Sequence, residues 1–299
     1  MPEQGQAMLD LETLRRLYAE ELRAVANLRS SALVQAFATV PREHFLGPGP
    51  WQIVGPSPPG QVTYWTTEDA DPRHLYHNVL VAIDTTRWLH NGQPSSLAFW
   101  LDALVLQAGE RVVHIGCGIG YYTAIVAEVV GPSGQVTAIE CDPELAARAR
   151  TNLRSWPHVE VITGDGTIYH SGLSDAVFVN AGATHLCAVW LDALRPGGRL
   201  LVPLTVAADP SGHGSGAMLK VTQQPRGWTA RFISGVGIFP CIGARDPAAN
   251  DQLQEAFRCP AWKTVQSLRR DLHEQTEACW LHQQEFCLST AALPRDVCG

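Results

Sequence analysis

The segment from Arg111 to Val130 constrains the fold most strongly, because it predicts a strand, a glycine-rich turn and a helix in direct succession. The strand is predicted at residues 112–115, a short apolar run rich in β-branched side chains. Three glycines follow, and residues 121–130 carry apolar side chains at helical spacing. A glycine turn lets the backbone approach a ligand closely, and the free N–H groups at the start of the next helix point towards that ligand. The segment therefore predicts a ligand-binding strand–turn–helix unit.

The spacing of the glycines separates two classes of ligand. A dinucleotide fingerprint has the spacing G-x-G-x-x-G, in which the third glycine permits close packing of helix on strand. Here Tyr121 stands at that third position, and the glycines follow the order G-x-G-x-G. This order, with Glu140 closing the next predicted strand, resembles motif I of class I S-adenosylmethionine (SAM) methyltransferases. A carboxylate there can accept hydrogen bonds from both hydroxyls of a ribose. The resemblance implies SAM as cofactor and S-adenosylhomocysteine as product.

Strands and helices continue to alternate after this unit. Further strands are predicted at residues 136–140, 159–162, 174–180 and 199–203, with helices between them. Right-handed crossovers join such units into an α/β, doubly wound, mostly parallel Rossmann-like sheet. In a sheet of this kind the ligand lies above the carboxyl ends of the strands.

Three regions are predicted along the chain. Residues 1–75 form an N-terminal helical arm and a loop rich in proline and glycine, with one helix expected over 11–37. Residues 76–240 form the SAM-binding domain, which begins with a strand-like segment at 76–83 and includes a polar turn at 209–216. Residues 241–299 form a C-terminal extension that packs on the core, with a helix over 251–259 and a hairpin strand within 280–288.

A series of short motifs resembles protein-L-isoaspartate O-methyltransferases. Residues 40–46 are similar to the "VPR-x-x-F" segment of that family, and residues 91–96 to its "GQ-T-I-S" phrase, matching at Gly92, Gln93 and Ser96. Residues 164–166 spell "GDG", residues 174–180 resemble "YDAI", and residues 194–203 resemble "LKPGGRLVIPV". The motifs occur in the family's order between about residues 40 and 205. The chain is therefore similar to a divergent member of this family.

The resemblance implies the residues of the site. Ser96 would help seat the carboxylate of the acceptor, and Asn180 and His185 would lie near the reaction centre. Asp165 would accept a hydrogen bond from the adenine amine. His114 stands where the family keeps an acid, which leaves the usual contact to the cofactor's amino group open. The full set of predicted cofactor-binding residues is Gln93, His114, Gly116, Gly118, Gly120, Tyr121, Glu140, Cys141, Gly164, Asp165, Gly166 and Asn180.

The leading functional prediction is an O-methyltransferase that acts on a carboxylate of a peptide or protein. Such an acceptor is ionised at neutral pH and needs no general base, so the enzyme has mainly to align it and exclude water. Two alternatives stay open: a different peptide or small-molecule acceptor, and a SAM-binding adaptor without turnover. The net charge of −7 disfavours a nucleic-acid partner.

Composition and cysteine spacing complete the predictions. No run of 18 or more apolar residues is present, and the N-terminus lacks the pattern of a signal peptide, so a cytoplasmic protein without membrane contact is expected. The eight cysteines form no C-x-x-C pair, so no metal site is predicted. A disulfide between Cys279 and Cys287 stays an open alternative, as does the oligomeric state.

Overall fold

Helices and strands alternate along the computed structural model, which describes residues 10–56, 62–208 and 213–293. The α-helices are α1 Leu11–Ala26, α2 Ser31–Thr39, α3 Arg42–Leu46, α4 Pro94–Leu104, α5 Tyr121–Val130, α6 Pro143–Asn152, α7 Ala188–Asp192 and α8 Pro247–Arg258. The strands are β1 Gln52–Val54, β2 Tyr64–Thr66, β3 Ala82–Asp84, β4 Leu89–His90, β5 Arg111–Ile115, β6 Gln135–Glu140, β7 Val159–Thr163, β8 Ser174–Val179, β9 Leu194–Ala208, β10 Gly214–Gln224, β11 Gly227–Ile238, β12 Ser267–Arg269, β13 Cys279–His282 and β14 Cys287–Ser289.

One large sheet organises these elements. Its strand order is β13-β14-β12-β11-β10-β9-β8-β5-β6-β7. The five strands from β9 to β7 run parallel, and β10 to β14 extend the sheet with antiparallel pairs. Because β6 and β8 flank β5 on opposite sides, the winding reverses at β5, where a crevice opens above the strand ends. The predicted doubly wound α/β fold is confirmed.

The N-terminal arm covers the helix that follows the glycine turn. Helix α5 is apolar nearly all round and has nine buried residues, as expected for a helix packed on both sides. The sheet covers one side, and aromatic side chains of the arm cover the other. Phe37 and Phe45 lie with ring centroids 6.5 and 5.4 Å from that of Tyr121. The arm is thus part of the core that fixes the start of α5.

The single helix predicted over residues 11–37 is wrong, because the chain breaks between α1 and α2. Asn27 adopts a left-handed conformation with φ of 50° and ends α1. The hydroxyl of Ser30 then accepts a hydrogen bond from the N–H of Leu33 and caps α2. Asparagine tolerates the left-handed region and serine is a preferred N-cap, so Asn27 ends one helix and Ser30 begins the next.

The strand-like segment predicted at residues 76–83 is paired only at its end, from Val81 onwards. A 3-10 turn over Pro72–Leu75 precedes an irregular stretch, and only Ala82–Asp84 forms a strand. The cause lies in α3: the buried guanidinium of Arg42 donates hydrogen bonds to the carbonyls of Leu75, His77 and Val79. Those carbonyls are therefore not available to a strand ladder.

The C-terminal residues continue the sheet. Strands β12, β13 and β14 extend it beyond β11, and α8 begins at an N-cap, Asp246, whose side chain accepts a hydrogen bond from the N–H of Ala249. The division into three regions remains our proposal. The polar turn predicted at 209–216 falls partly outside the described residues, and so does the loop rich in proline and glycine predicted within residues 1–75. No helix in the described part of the chain has the length and apolarity needed to cross a bilayer.

Candidate active site

A cleft of about 980 Å³ lies above the carboxyl ends of the parallel strands. Such a volume suits a ligand of nucleoside size or larger. It opens where β5, β6, β7 and β8 end, so side chains distant in sequence meet there. The predicted site residues on its wall are Gln93, Ser96, Gly116, Gly118, Glu140, Cys141, Gly164, Asp165, Gly166 and Asn180.

The glycine turn and Glu140 form one hydrogen-bonded unit. The N–H of Gly118 donates to Oε2 of Glu140 at 2.8 Å, and the N–H of Asp142 donates to Oε1 at 3.1 Å. Glu140 is only 7% exposed, so these two bonds fix its carboxylate at the cleft wall. Each oxygen keeps lone-pair capacity for a further donor. Two adjacent hydroxyl groups of a ligand are suitable donors for this arrangement.

A second fixed carboxylate lies at the end of β7. Oδ1 of Asp165 accepts hydrogen bonds from the N–H and the hydroxyl of Thr167, at 2.8 and 2.7 Å. A Cβ on Gly164 would meet no atom within 4 Å, so the wall is open beside the carboxylate. A flat ring can therefore lie against the backbone there and donate an amine to Asp165.

Residues that precede the glycine turn in sequence also line the cleft. The amide Nε2 of Gln93 donates to both the backbone carbonyl and the side-chain oxygen of Asn78, each at 2.8 Å. That side-chain oxygen also accepts the N–H of Ser95 at 3.0 Å. Gln93 occupies the N-cap position of α4 without a side-chain capping bond of its own, and Asn78 supplies the acceptor for the N–H of Ser95 instead. Ser96 is left on the cleft wall.

Two polar residues of the cleft, Asn91 and Asp142, are not among the site residues predicted from the sequence. Asn91 is 7% exposed, and its Nδ2 is buried without a hydrogen-bond partner in the described structure. A buried amide that lacks a partner and lines a cleft is a candidate donor to a ligand. Asp142 forms an ion pair with Arg87 at 2.7 Å at the same cleft. The sequence gives little indication that Asn91 belongs to the site, because an Asn before a Gly is typical of any turn.

The C-terminal extension also contributes to this wall. Gly243 has φ of +91°, and a Cβ there would lie 2.6 Å from Oδ2 of Asp165. Cys241 and Ile242 line the cleft beside it. Burial raises the pKa of the neighbouring Cys141 thiol to about 11, so this cysteine is neutral at physiological pH. The segment after β11 therefore shapes the pocket of the second carboxylate.

Four predicted residues do not lie on the cleft wall, and we assign them packing roles. His114 is fully buried, with Nδ1 at 2.9 Å from the hydroxyl of Thr123, because alternation along β5 turns it towards α5. Tyr121, at the start of α5, packs against Phe37 and Phe45 of the N-terminal arm. Gly120 lies so close to α6 that a Cβ would meet a Leu153 methyl at 2.8 Å. His185 is half-buried, with Nδ1 at 3.1 Å from the hydroxyl of Thr184.

The buried His114 leads to a prediction about acid stability. Burial lowers the pKa of His114 from 6.5 to about 3, so the folded chain keeps the ring neutral. Below pH 6.5 the unfolded chain binds a proton that the folded chain does not, and stability falls as the pH drops from 6.5 towards 3. Between pH 7 and pH 5 we expect His114 to cost up to about 2 kcal/mol. Urea denaturation at pH 7 and at pH 5 should show a smaller loss of unfolding free energy between the two pH values for His114→Gln than for the unaltered chain. An equal loss in both proteins would contradict the assignment.

Comparison with known proteins gives one consistent family. Residues 68–211 match the family model for protein-L-isoaspartate(D-aspartate) O-methyltransferase. A protein-L-isoaspartate O-methyltransferase of Methanothrix thermoacetophila is 32% identical over 187 residues, which cover 61% of this chain and 78% of the relative. Protein-L-isoaspartate O-methyltransferase 1 of Archaeoglobus fulgidus is 35% identical over 145 residues, 44% of this chain and 67% of the relative. A solved protein-L-isoaspartate O-methyltransferase superposes with a TM-score of 0.61 at 21% identity, over 82% of this chain and 69% of that chain.

Proposed function

The chain belongs to the protein-L-isoaspartate(D-aspartate) O-methyltransferase family, and from that premise we propose how its cleft binds cofactor and acceptor. It is a SAM-dependent O-methyltransferase that acts on a carboxylate of a peptide or protein. When bound, SAM supplies an electrophilic methyl group on a sulfonium. The observation that carries the proposal is the pair of fixed carboxylates, Glu140 and Asp165, on either side of a glycine-lined opening.

The chemistry of the cleft wall fits SAM. We propose that Glu140 binds the ribose hydroxyls, because both its oxygens are oriented by backbone donors and still accept further hydrogen bonds. Asp165 binds the exocyclic adenine amine. Gly118 and Gly164 leave room for the ligand, since a Cβ on either would meet no protein atom within 4 Å. Asn180 lines the same cleft, where its Nδ2 donates a hydrogen bond to the carbonyl of Gly116 at 3.5 Å.

The acceptor side supplies hydrogen-bond donors for a carboxylate. We propose that Nδ2 of Asn91 and the hydroxyl of Ser96 orient it, since both residues line the cleft and the amide has no other partner in the described structure. The neighbouring His90 is held neutral, because burial lowers its pKa to about 4. No base is needed for a carboxylate nucleophile, so alignment and exclusion of water are the main tasks of these residues.

An acceptor screen tests the proposal. The purified chain is incubated with methyl-labelled SAM and matched peptides that differ only in carrying aspartate, L-isoaspartate or asparagine at one position. We expect a base-labile methyl ester on the isoaspartyl peptide and none on the asparagine peptide. Transfer to RNA, or to a small amine alone, would contradict the proposed acceptor. Binding of SAM without transfer to any carboxylate would favour the adaptor alternative.

Ser96 allows acceptor positioning to be separated from cofactor binding. Replacing Ser96 with Ala removes one donor to the acceptor, and we expect kcat/KM for the methylated peptide to fall about tenfold. The Kd for SAM should change less than twofold by calorimetry. Ser95→Ala is the matched control, because Ser95 lies in the same helical turn but is not on the cleft wall. An equal loss in both variants, or a loss confined to SAM affinity, would contradict the role of Ser96.

A further inference from the structure

Four potential metal ligands cluster in the C-terminal extension, remote in sequence from every residue of the cleft. They are His273, Cys279, His282 and Cys287. Each offers one ligand atom, and these four atoms all lie within 4.8 Å of one another. Both cysteines are free thiols, so the disulfide considered between them is not formed. The spacing H-x5-C-x2-H-x4-C does not contain a C-x-x-C pair, which is why the sequence did not indicate a metal site.

The fold brings the four residues together by an irregularity in a hairpin. His273 lies in the loop before β13, Cys279 and His282 lie on β13, and Cys287 pairs with His282 across the hairpin on β14. Residues three apart on a regular strand point to opposite faces. The register shift between Cys279 and Leu281 is a bulge that adds one residue, which turns Cys279 to the face of His282.

Hydrogen bonds around His273 and Cys279 orient the lone pairs of these two side chains towards each other. Nδ1 of His273 donates to the carbonyl of Asp271 at 2.8 Å, which leaves Nε2 as the lone-pair nitrogen. That Nε2 lies 3.7 Å from Sγ of Cys279. The sulfur also accepts the backbone N–H of Thr276 at 3.3 Å. Histidine ligands commonly donate their second ring N–H to a carbonyl, and this contact fixes the tautomer that binds metal.

The other two residues are His282, which has a ring nitrogen without a hydrogen-bond partner in the described structure, and Cys287, which is buried. Nδ1 of His282 is buried and has no hydrogen-bond partner in the described part of the chain. Its ring stands nearly perpendicular to that of His273, with centroids 4.7 Å apart and an interplanar angle of 83°. Cys287 is 1% exposed. A buried ring nitrogen without a partner is costly, and coordination of a cation removes that cost.

We propose that these four side chains bind one structural Zn²⁺ through two thiolates and two imidazoles. In tetrahedral zinc sites the Zn–S and Zn–N distances are about 2.3 and 2.0 Å, which puts neighbouring ligand atoms roughly 3.5 Å apart. The distance of 3.7 Å between Sγ of Cys279 and Nε2 of His273 is close to this ligand-to-ligand distance. Because no two of the four ligand atoms are more than 4.8 Å apart, only small rotations of the other side chains are needed to bring them to it. With four protein ligands no position stays open for substrate, so the site is structural.

A structural role follows from the position of the cluster. Strand β13 is the last strand of the ten-stranded sheet, and β12, β13 and β14 contain only three, four and three residues. Short edge strands have few hydrogen bonds to hold them. A metal that joins the loop before β13 to both strands of the hairpin would hold this edge in place.

Metal analysis of the whole 299-residue chain without a tag tests the proposal. Elemental mass spectrometry should find about one zinc per chain, either as purified or after incubation with one equivalent of Zn²⁺ and dialysis. Cys279→Ser and His282→Gln should each lower the retained zinc by at least about tenfold. Cys259→Ser, which alters an exposed cysteine outside the cluster, should retain it.

Cobalt substitution of the unaltered chain keeps the test decisive where a variant fails to fold. Bound Co²⁺ should show the intense visible bands of a tetrahedral site together with sulfur-to-cobalt charge transfer for two thiolates. Chelation of the zinc should lower the melting temperature, and returning Zn²⁺ should restore it. Failure of the unaltered chain to bind either metal, or zinc retention by Cys279→Ser, would overturn the proposal.

Discussion

Gly118→Val is expected to abolish SAM binding, with a rise in Kd of at least about 100-fold, or about 2.7 kcal/mol. Gly118 has φ of +56°, and its N–H holds Oε2 of Glu140. A side chain at this position meets no protein atom within 4 Å of its Cβ, so it extends into the cleft. It would therefore occupy the volume proposed for the cofactor, and isothermal titration calorimetry measures the loss directly.

The control for this variant separates obstruction of the cleft from backbone strain. Gly109 also has positive φ, +84°, and a Cβ there would have only an ordinary contact with Ser133. It does not line the cleft. Valine at either position incurs the strain of a left-handed side chain, of order 1–3 kcal/mol. We expect both variants to lose similar stability and only Gly118→Val to lose SAM binding. Equal SAM affinity in the two variants would contradict the assignment of the cleft.

Arg42→Met is expected to lower the free energy of unfolding by about 3 to 5 kcal/mol. The guanidinium is fully buried, and it donates to the carbonyls of Leu75, His77 and Val79 at 2.7, 3.1 and 2.8 Å. Methionine fills part of the volume but leaves these carbonyls without donors. Chemical denaturation of the two proteins at the same pH measures the difference.

The position of Arg42 also connects the arm to the acceptor side of the cleft. The carbonyls that it binds flank Asn78, whose side chain accepts hydrogen bonds from Gln93 and the N–H of Ser95. We therefore expect Arg42→Met to raise KM for the peptide even at temperatures where the chain stays folded. Arg29→Met, at an exposed position of the arm, is the control and should change stability by less than about 0.5 kcal/mol. A similar effect of the two variants would contradict the role of Arg42.

The sequence predicts the central sheet well because local patterns encode it. The apolar β-branched run of β5 and the helical spacing of α5 agree with their glycine turn, and the structure has the helix at Tyr121–Val130 as predicted. The ends of parallel strands must meet at one edge, so the grouping of Glu140, Asp165 and Asn180 also follows from the pattern.

Contacts between distant segments could not be predicted in the same way. The guanidinium of Arg42 keeps the first part of the predicted strand-like segment out of a strand by binding carbonyls more than 30 residues away. Gly243 reaches Asp165 only because the chain returns to the cleft after β11. The direction of His114 depends on its strand register, and the His–Cys cluster depends on a bulge. These features are set by tertiary packing, and no local periodicity encodes them.

The central claim is that SAM lies above the strand ends, with its ribose on Glu140 and its adenine amine on Asp165. A crystal structure of the chain with bound S-adenosylhomocysteine tests this most directly. We predict density for the product in the cleft, with both ribose hydroxyls within hydrogen-bond distance of the Glu140 carboxylate and the adenine amine within that distance of Asp165. Density for the product elsewhere on the chain, or in the cleft without contact to either carboxylate, would contradict the account.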